Sequence, residues 1–430
     1  MIVVVGGGIT GLATGFELQR AGADVVVLEA SDRPGGVIRS DVVDGRLLDW
    51  GPQRARMTPG FRRLVEALGL EDEVVTAPPD LDLHIYRDGR LRRLPFSMAE
   101  FAGSDVVSLR GKLRGLLEVL SSRADPDEAV SDFFTRKFGK ELYETIIGPL
   151  YGGLYASDPA DMRVGLSLIH ALREFRIGRS LLLPLLRRGG RINPPPPCSF
   201  RDGMQALPDA LAHALGRRLR TSVAVDELQR AHGEWAVRTS TGETIQASHV
   251  VLATPAPVAS KLLSSFAPAA AAVIGSLRYN GLGVVHLTAE TELRGIGFKV
   301  AFSERELALT GATFNDQLFG RRGVYTAYLG GARHPEVDEM DDQELGRVAV
   351  RDFRRTTGYD ARVLSVARER MPAWDVSWAG LSDIAVPQGI DVAGNWWSRP
   401  GLPGRLAEAT QLAKKVAHAP GDGVVSSSPS

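Results

Sequence analysis

Cysteine is nearly absent from this chain of 430 residues. Cys198 stands alone, which excludes an internal disulfide framework and any cysteine-cluster metal site, and fits a reducing compartment. Neither sign of charge dominates: 51 Lys and Arg face 51 Asp and Glu, so no bulk field argues for nucleic acid, and none is expected as a partner. The apolar runs all fall short of the ~20 residues that a spanning helix needs. No basic leader precedes the first run, MIVVV, so a cytoplasmic protein is expected. The eight histidines show no metal-ligand spacing, and no Ser/His/Asp or Cys/His constellation is visible; no metal is expected. Apolar content of 44% supplies a core, and the length suggests two domains.

What is present begins at the first residues. Ile2–Val5 is a short β-branched run, a buried parallel strand by pattern. Gly6, Gly8 and Gly11 then form G-x-G-x-x-G, and apolar residues at helical spacing continue to Arg20. Val25–Leu28 reads as a second strand, with Glu29 at its tip. Each part has a chemical use in binding a dinucleotide. Gly6 permits the tight turn, Gly8 lets the backbone approach a pyrophosphate, and Gly11 lets helix pack on strand. The helix start, with Ile9 and Thr10, supplies bare N–H groups to the phosphates. Glu29 stands 18 residues past Gly11, close to the ~20 expected of an acid that binds a ribose. A glycine triplet alone also makes ordinary turns; here it follows a strand, opens a helix and is followed by strand and Glu. An acid rather than arginine at the tip favours FAD or NAD over NADP.

Directly after Glu29 and Ala30 comes Arg33-Pro34-Gly35-Gly36-Val37-Ile38-Arg39-Ser40, then Leu48-Asp49-Trp50-Gly51-Pro52-Gln53. Further on stand PLYGGLYASDP (149–159), SFRDGMQALPDAL (199–211), VVLATPA (250–256) and GIDVAGNWW (389–397). Together these resemble the protoporphyrinogen and coproporphyrinogen oxidase family, FAD-dependent members of the flavin amine oxidase superfamily, over about residues 1–417. The middle stretches single out the porphyrinogen oxidases, although Ser157 and Asp202 replace the glycines usual there.

The resemblance implies an α/β, two-dinucleotide-binding-domain flavoprotein: a Rossmann-like FAD domain interleaved with a substrate domain of mixed sheet plus helices. The FAD domain is expected at 1–82, 196–256 and 376–418, the substrate domain at 83–195 and 257–375, and a disordered tail at 419–430. FAD is expected to be held without a covalent bond by Gly6, Gly8, Ile9, Thr10, Gly11, Glu29 and Ala30; by Arg33, Gly35, Gly36, Val37, Ile38 and Arg39; by Gly51, Pro52 and Gln53; and by Val223, Ala253, Thr254, Gly394, Asn395, Leu402, Pro403 and Leu406. Near the flavin N5, which does the chemistry, the resemblance places Gln53, Arg54, Arg56, Gly153 and Phe319. The implied reaction is hydride transfer from a porphyrinogen to flavin, with dioxygen as acceptor. The partners are then a tetrapyrrole substrate and dioxygen, with a membrane surface, a ferrochelatase and a second copy of the chain as further candidates.

Two features set this chain apart. Some relatives carry in the hairpin 83–95 an arginine that pairs with a substrate carboxylate; here that position is Leu83, so the anchor is either missing or supplied by Arg54, Arg56 or Arg92. Within 172–198, Arg173, Arg176, Arg179, Arg187, Arg188 and Arg191 alternate with leucines, which suits an anionic lipid surface on the inner face of the membrane, a cap over an acidic substrate, or an ordinary half-exposed helix. The rival readings are a flavin amine oxidase, which calls for a lysine on the strand near 282–287 where none lies between Lys261 and Lys299; a carotenoid-type desaturase; and a flavin-binding protein without turnover.

Overall fold

The computed structural model describes residues 1–417 except 175, 176, 178, 188, 191–193, 232 and 399. The expected tail at 419–430 and Arg176, Arg188 and Arg191 of the basic segment lie outside the described residues.

Two sheets carry the architecture. The first has five parallel strands in the order Leu219–Arg220, Val25–Leu28, Ile2–Val5, His249–Leu252 and Ile390–Val392. Both faces are covered, and the strands are accordingly continuous apolar runs. Val4, Val25, Val27 and Val251 pack with the helices Ile9–Arg20, Ala206–Leu215 and Leu402–Ala417. Val3, Val5, Val26, Leu28 and Val250 face the other way, into a core shared with Trp235 and Val237 of a three-stranded antiparallel sheet.

The second sheet has seven strands, in the order Arg362–Pro372, Tyr279–Thr288, Val324–Gly330, Leu309–Phe314, Gly297–Val300, Leu83–Arg87 and Arg90–Arg93. All its joints are antiparallel except Gly297–Val300 with Leu83–Arg87. Helix Asp342–Thr357, capped by Asp341 and closed at Gly358, covers one face with Leu345, Ala349 and Phe353. The opposite face, through Leu282, Val284, Tyr328 and Lys299, looks into a cavity. The expected hairpin closes at Asp88-Gly89, both at positive φ (50° and 77°), as a two-residue turn between right-twisted strands requires.

Some expectations need adjustment. The strand expected at 223–225 begins only at Val225, because Ser222 turns at φ 59° and the Val223 N–H is committed to the Glu29 carbonyl. The helix expected over 109–120 is α-helical to Leu116 and then tightens, where the carboxylate of Glu118 turns inward to the ammonium of Lys137, both fully buried. Two single π-turns, Tyr143–Ile147 and Val164–Leu168, flank the helix Gly148–Tyr155. No helix among the described residues is long and apolar enough to cross a membrane.

One buried residue ties the seven-stranded sheet to the loop after the second glycine pair. Asp49, at the end of strand Arg46–Asp49, is 1% exposed and ion-paired to Arg321, itself 7% exposed. Its carboxylate also accepts from Ser40 Oγ at 2.5 Å and the Met204 N–H at 2.9 Å. Its backbone carbonyl accepts from Gln53 Nε2 and, at 2.8 Å, from His286 Nε2, which must therefore carry the imidazole proton; Ser365 meets the other nitrogen at 3.0 Å. Burial holds the His286 pKa below its ordinary value. Replacing Arg321 by Met is expected to cost about 3–5 kcal/mol by leaving Asp49 buried and uncompensated. Denaturant unfolding checks it, and the double variant Asp49→Asn/Arg321→Met should recover part of the loss.

Candidate active site

A cavity of about 1390 Å3 runs from the glycine turn at Gly8 to the seven-stranded sheet. It exceeds the ~300–1000 Å3 typical of a site for one small ligand, which leaves room for a cofactor and a substrate. At one end, helix Ile9–Arg20 starts without a side-chain cap, so its first N–H groups face the groove. A Cβ added at Gly11 would stand 1.9 Å from the Gly6 carbonyl oxygen, which is why strand and helix can meet there only through glycine. At Gly8 a Cβ would touch nothing: the space beyond it is groove. The second glycine pair closes the cradle, since Gly35 N–H donates to Gly7 O at 2.8 Å and Gly35 bridges to Gly8. Glu29 points in and accepts from the Gly7 N–H at 2.6 Å and from Ser31.

Midway, Gln53 is 4% exposed and fixed on both sides of its amide: Nε2 donates to Asp49 O, and Oε1 accepts from Asn315 Nδ2 at 2.8 Å and Thr326 Oγ1 at 3.0 Å. Trp50 lines the wall, with the Arg39 guanidinium 5.3 Å from its ring and His286 edge-on at 5.3 Å. Asn395 accepts from the Tyr279 hydroxyl at 3.1 Å, and Gly401 and Leu402 bring the start of helix Leu402–Ala417 to the same groove.

Beyond Gln53 the cavity becomes cationic. Arg54 turns inward; its Nη1 is buried without a hydrogen-bond partner, and burial pulls its pKa down. Lys299 reaches in from strand Gly297–Val300, with its ammonium 5.9 Å from the Tyr328 ring centroid. Burial and then Arg54 push the Lys299 pKa down to about 8. Glu369 lines the cavity four strands away across the sheet, and burial raises its pKa to about 7.

Of the residues singled out in the sequence, the structure brings Gly8, Ile9, Thr10, Glu29, Gly35, Gly36, Val37, Gly51, Pro52, Gln53, Arg54, Arg56, Gly153, Asn395 and Leu402 to this one cavity. Others stand behind it. Gly6, Gly11, Ala253 and Thr254 form the strand–helix contact beneath the turn, where Thr254 Oγ1 is buried and unpartnered. Arg33 binds the carbonyls of Pro34, Gly36 and Ile38 and so fastens its own loop, while Arg39 pairs with Asp41. Ile38 and Leu406 are core; Ala30 follows Glu29, Val223 bonds to it, Gly394 packs against Trp396, and Pro403 opens the last helix outside the lining. Phe319 does not reach the cavity: it lies under Arg321, 5.5 Å from the guanidinium, on the short helix Asn315–Phe319. Arg56 lines the cavity but donates to Pro195 O at 2.9 Å, and Arg92 is turned to Asp88 and Asp105. The sequence reading missed Lys299, Tyr328 and Arg405. Lys299 and Tyr328 belong to strands whose alternation shows a two-faced sheet but not which face is the site; Arg405 is buried beside the Ser398 and Gly394 carbonyls, its pKa lowered to about 10.

Three comparisons bear on this geometry. The sequence profile of the family described as flavin containing amine oxidoreductase matches residues 9–403. Protoporphyrinogen oxidase of Homo sapiens is 30% identical over 70% of this chain and 70% of its own length; the chloroplastic protoporphyrinogen oxidase of Nicotiana tabacum is 28% identical over 82% and 71%. Coproporphyrinogen III oxidase of Bacillus subtilis is 24% identical over 87% of both. A solved structure from Exiguobacterium sp. 255-15, 22% identical, has the same fold, with a TM-score of 0.79 over 97% of this chain and 98% of that one.

The residues present fit FAD. The uncapped helix start and the open space at Gly8 suit a diphosphate, Glu29 a ribose, and the groove past Gln53 and Asn395 an extended ring system. Gly8→Ala should therefore leave the apoprotein as stable as the parent, because a Cβ there meets no protein atom, yet purify with far less flavin. The 450 nm to 280 nm absorbance ratio and the melting temperature of the apo form check both halves.

Proposed function

This chain belongs to the flavin containing amine oxidoreductase family and is an FAD-dependent oxidoreductase, and we propose that it oxidises a porphyrinogen, protoporphyrinogen IX or coproporphyrinogen III, to the porphyrin in haem biosynthesis. One observation carries the reading: the cavity holds Arg54 with a buried, unpartnered guanidinium nitrogen. A buried cation without an anion costs several kcal/mol, so it favours a ligand that brings carboxylates. A polyamine would bring further positive charge, and strand Tyr279–Thr288 carries no lysine of the kind an amine oxidase calls for.

When bound, FAD would supply the hydride acceptor for oxidation of a methylene bridge with loss of a pyrrole proton, and dioxygen would be the final acceptor, giving peroxide. The chain's own residues bind and orient. Gly8, Glu29 and Gly36 would hold the dinucleotide, and the Asp49 network fixes Gln53 and, through His286, the wall at Trp50 against which the cofactor would lie. Leu282, Val284 and Tyr328 offer an apolar face to a flat macrocycle, and Arg54 takes a carboxylate with its free nitrogen. Because Leu83 is apolar, the anchor of this cavity is Arg54 on the cofactor loop.

We also place contact with anionic lipid at the exposed leucines 109, 113, 116, 117 and 120, with Leu183 and Leu186 beside them and Arg110, Arg123, Arg179 and Arg187 around. Co-sedimentation with phosphatidylglycerol vesicles should exceed that with phosphatidylcholine vesicles; equal recovery would remove the lipid contact.

Anaerobic mixing of the flavoprotein with protoporphyrinogen IX, coproporphyrinogen III or putrescine separates the readings. Rapid bleaching of the flavin band by a porphyrinogen, with porphyrin fluorescence on admitting air, is expected. Bleaching by putrescine alone would move the protein to the amine oxidases. Arg54→Leu should raise KM for the porphyrinogen about ten-fold or more, the worth of one charged hydrogen bond.

A further inference from the structure

Lys299 occupies its place by arrangement. It leaves strand Gly297–Val300 and crosses the neighbouring strand exactly where the register sets Gly311 opposite it. A Cβ at 311 would stand 3.0 Å from Lys299 Cδ, so any larger residue there would crowd the stem. A Cβ at Gly153, on the helix Gly148–Tyr155, would stand 2.8 Å from the ammonium nitrogen. Two glycines on separate elements thus clear the path and the end point of one side chain. Beyond Gly311 the ammonium faces Tyr328, whose ring attracts cations and whose hydroxyl is engaged with Thr313. The charged group that acts on Lys299 is Arg54, another cation, and Lys299 makes no ion pair among the described residues. Space filling does not explain this: a methionine or leucine would fill the same channel without a desolvated charge. Leu83, on the adjoining strand, adds only apolar surface to the wall.

We propose that Lys299 is a specificity-determining residue: it receives a second carboxylate of the substrate, beside the one Arg54 takes, so that the cavity selects rings bearing two or more carboxylates. This rests on the porphyrinogen reading above and sharpens it. The two cations repel in the free protein, and each is relieved by an anion; a ring with its carboxylates free should bind much better than the same ring esterified. Lys299 forms no bond to the reacting carbon, so its loss should act on binding rather than on turnover of bound substrate.

The test titrates the FAD-loaded protein with protoporphyrin IX and coproporphyrin III, each as free acid and as methyl ester, following quenching of porphyrin fluorescence. The parent should prefer the acids. Lys299→Met should weaken acid binding about 10- to 100-fold and leave ester binding unchanged. Lys299→Arg should restore most of the preference, and Gly153→Ala, which displaces the ammonium, should lose part of it. With porphyrinogens, Lys299→Met should raise KM while kcat stays within about two-fold. If Lys299→Met, or Gly153→Ala where that variant fails to fold, keeps the parent's acid-to-ester ratio, the role of Lys299 is overturned although flavin bleaching by porphyrinogens persists. If no porphyrinogen bleaches the parent flavin, it is the porphyrinogen reading itself that falls.

Discussion

The buried pair of Asp49 and Arg321 is the joint on which the rest depends. A carboxylate with no access to water is tolerable only when fully satisfied, and Asp49 is met by a guanidinium, a hydroxyl and a backbone N–H while its carbonyl takes two more donors. Those partners come from the loop after the second glycine pair, the start of the 199–211 segment, the long strand Tyr279–Thr288 and the turn after Asn315–Phe319. The network therefore sets the loop after the second glycine pair and the 199–211 segment against the seven-stranded sheet. It also fixes Gln53 and Trp50, whose positions define the middle of the cavity. Gly203 belongs to the same joint: a Cβ there would stand 2.4 Å from Ser40 Oγ.

From that joint the cavity is graded. Toward the glycine turns it offers bare N–H groups and Glu29; toward the far strands it offers Arg54, whose Nη1 has no partner, and Lys299, which makes no ion pair among the described residues. The fold family accommodates amine oxidation as well as porphyrinogen oxidation, since fold does not decide chemistry. The proposed porphyrinogen reading rests on Arg54, whose buried guanidinium nitrogen has no partner in the cavity. Lysine is absent from Tyr279–Thr288, and His286 on that strand is a buried, neutral support for Asp49 and Trp50 rather than a group facing substrate.

Glycine sets much of this geometry by absence of a side chain. Gly11 allows helix on strand, Gly8 leaves the groove open, and Gly153 and Gly311 give Lys299 its channel. The first two were legible as a motif because their spacing is local. Gly153 was singled out within PLYGGLYASDP, but the clearance that it and Gly311 give Lys299 was not legible, since it exists only where helix and strand meet over Lys299.

The sequence by itself determined the parts whose physics is short-range: the strand–turn–helix–strand of residues 2–29, the Asp88-Gly89 hairpin, the helix Val130–Phe138, and the cofactor loop through Gln53. Period, turn chemistry and cap preferences act over a few residues, so they can be read along the chain. It also showed that Leu83 lacks the expected charge. Only the tertiary structure decided that Lys299 enters the cavity, that Phe319 lies under Arg321, and that Arg54 turns in while Arg92 turns away. Those outcomes depend on which face of a seven-stranded sheet is covered by helix Asp342–Thr357 and on register between strands more than 200 residues apart, and neither is encoded in any local pattern.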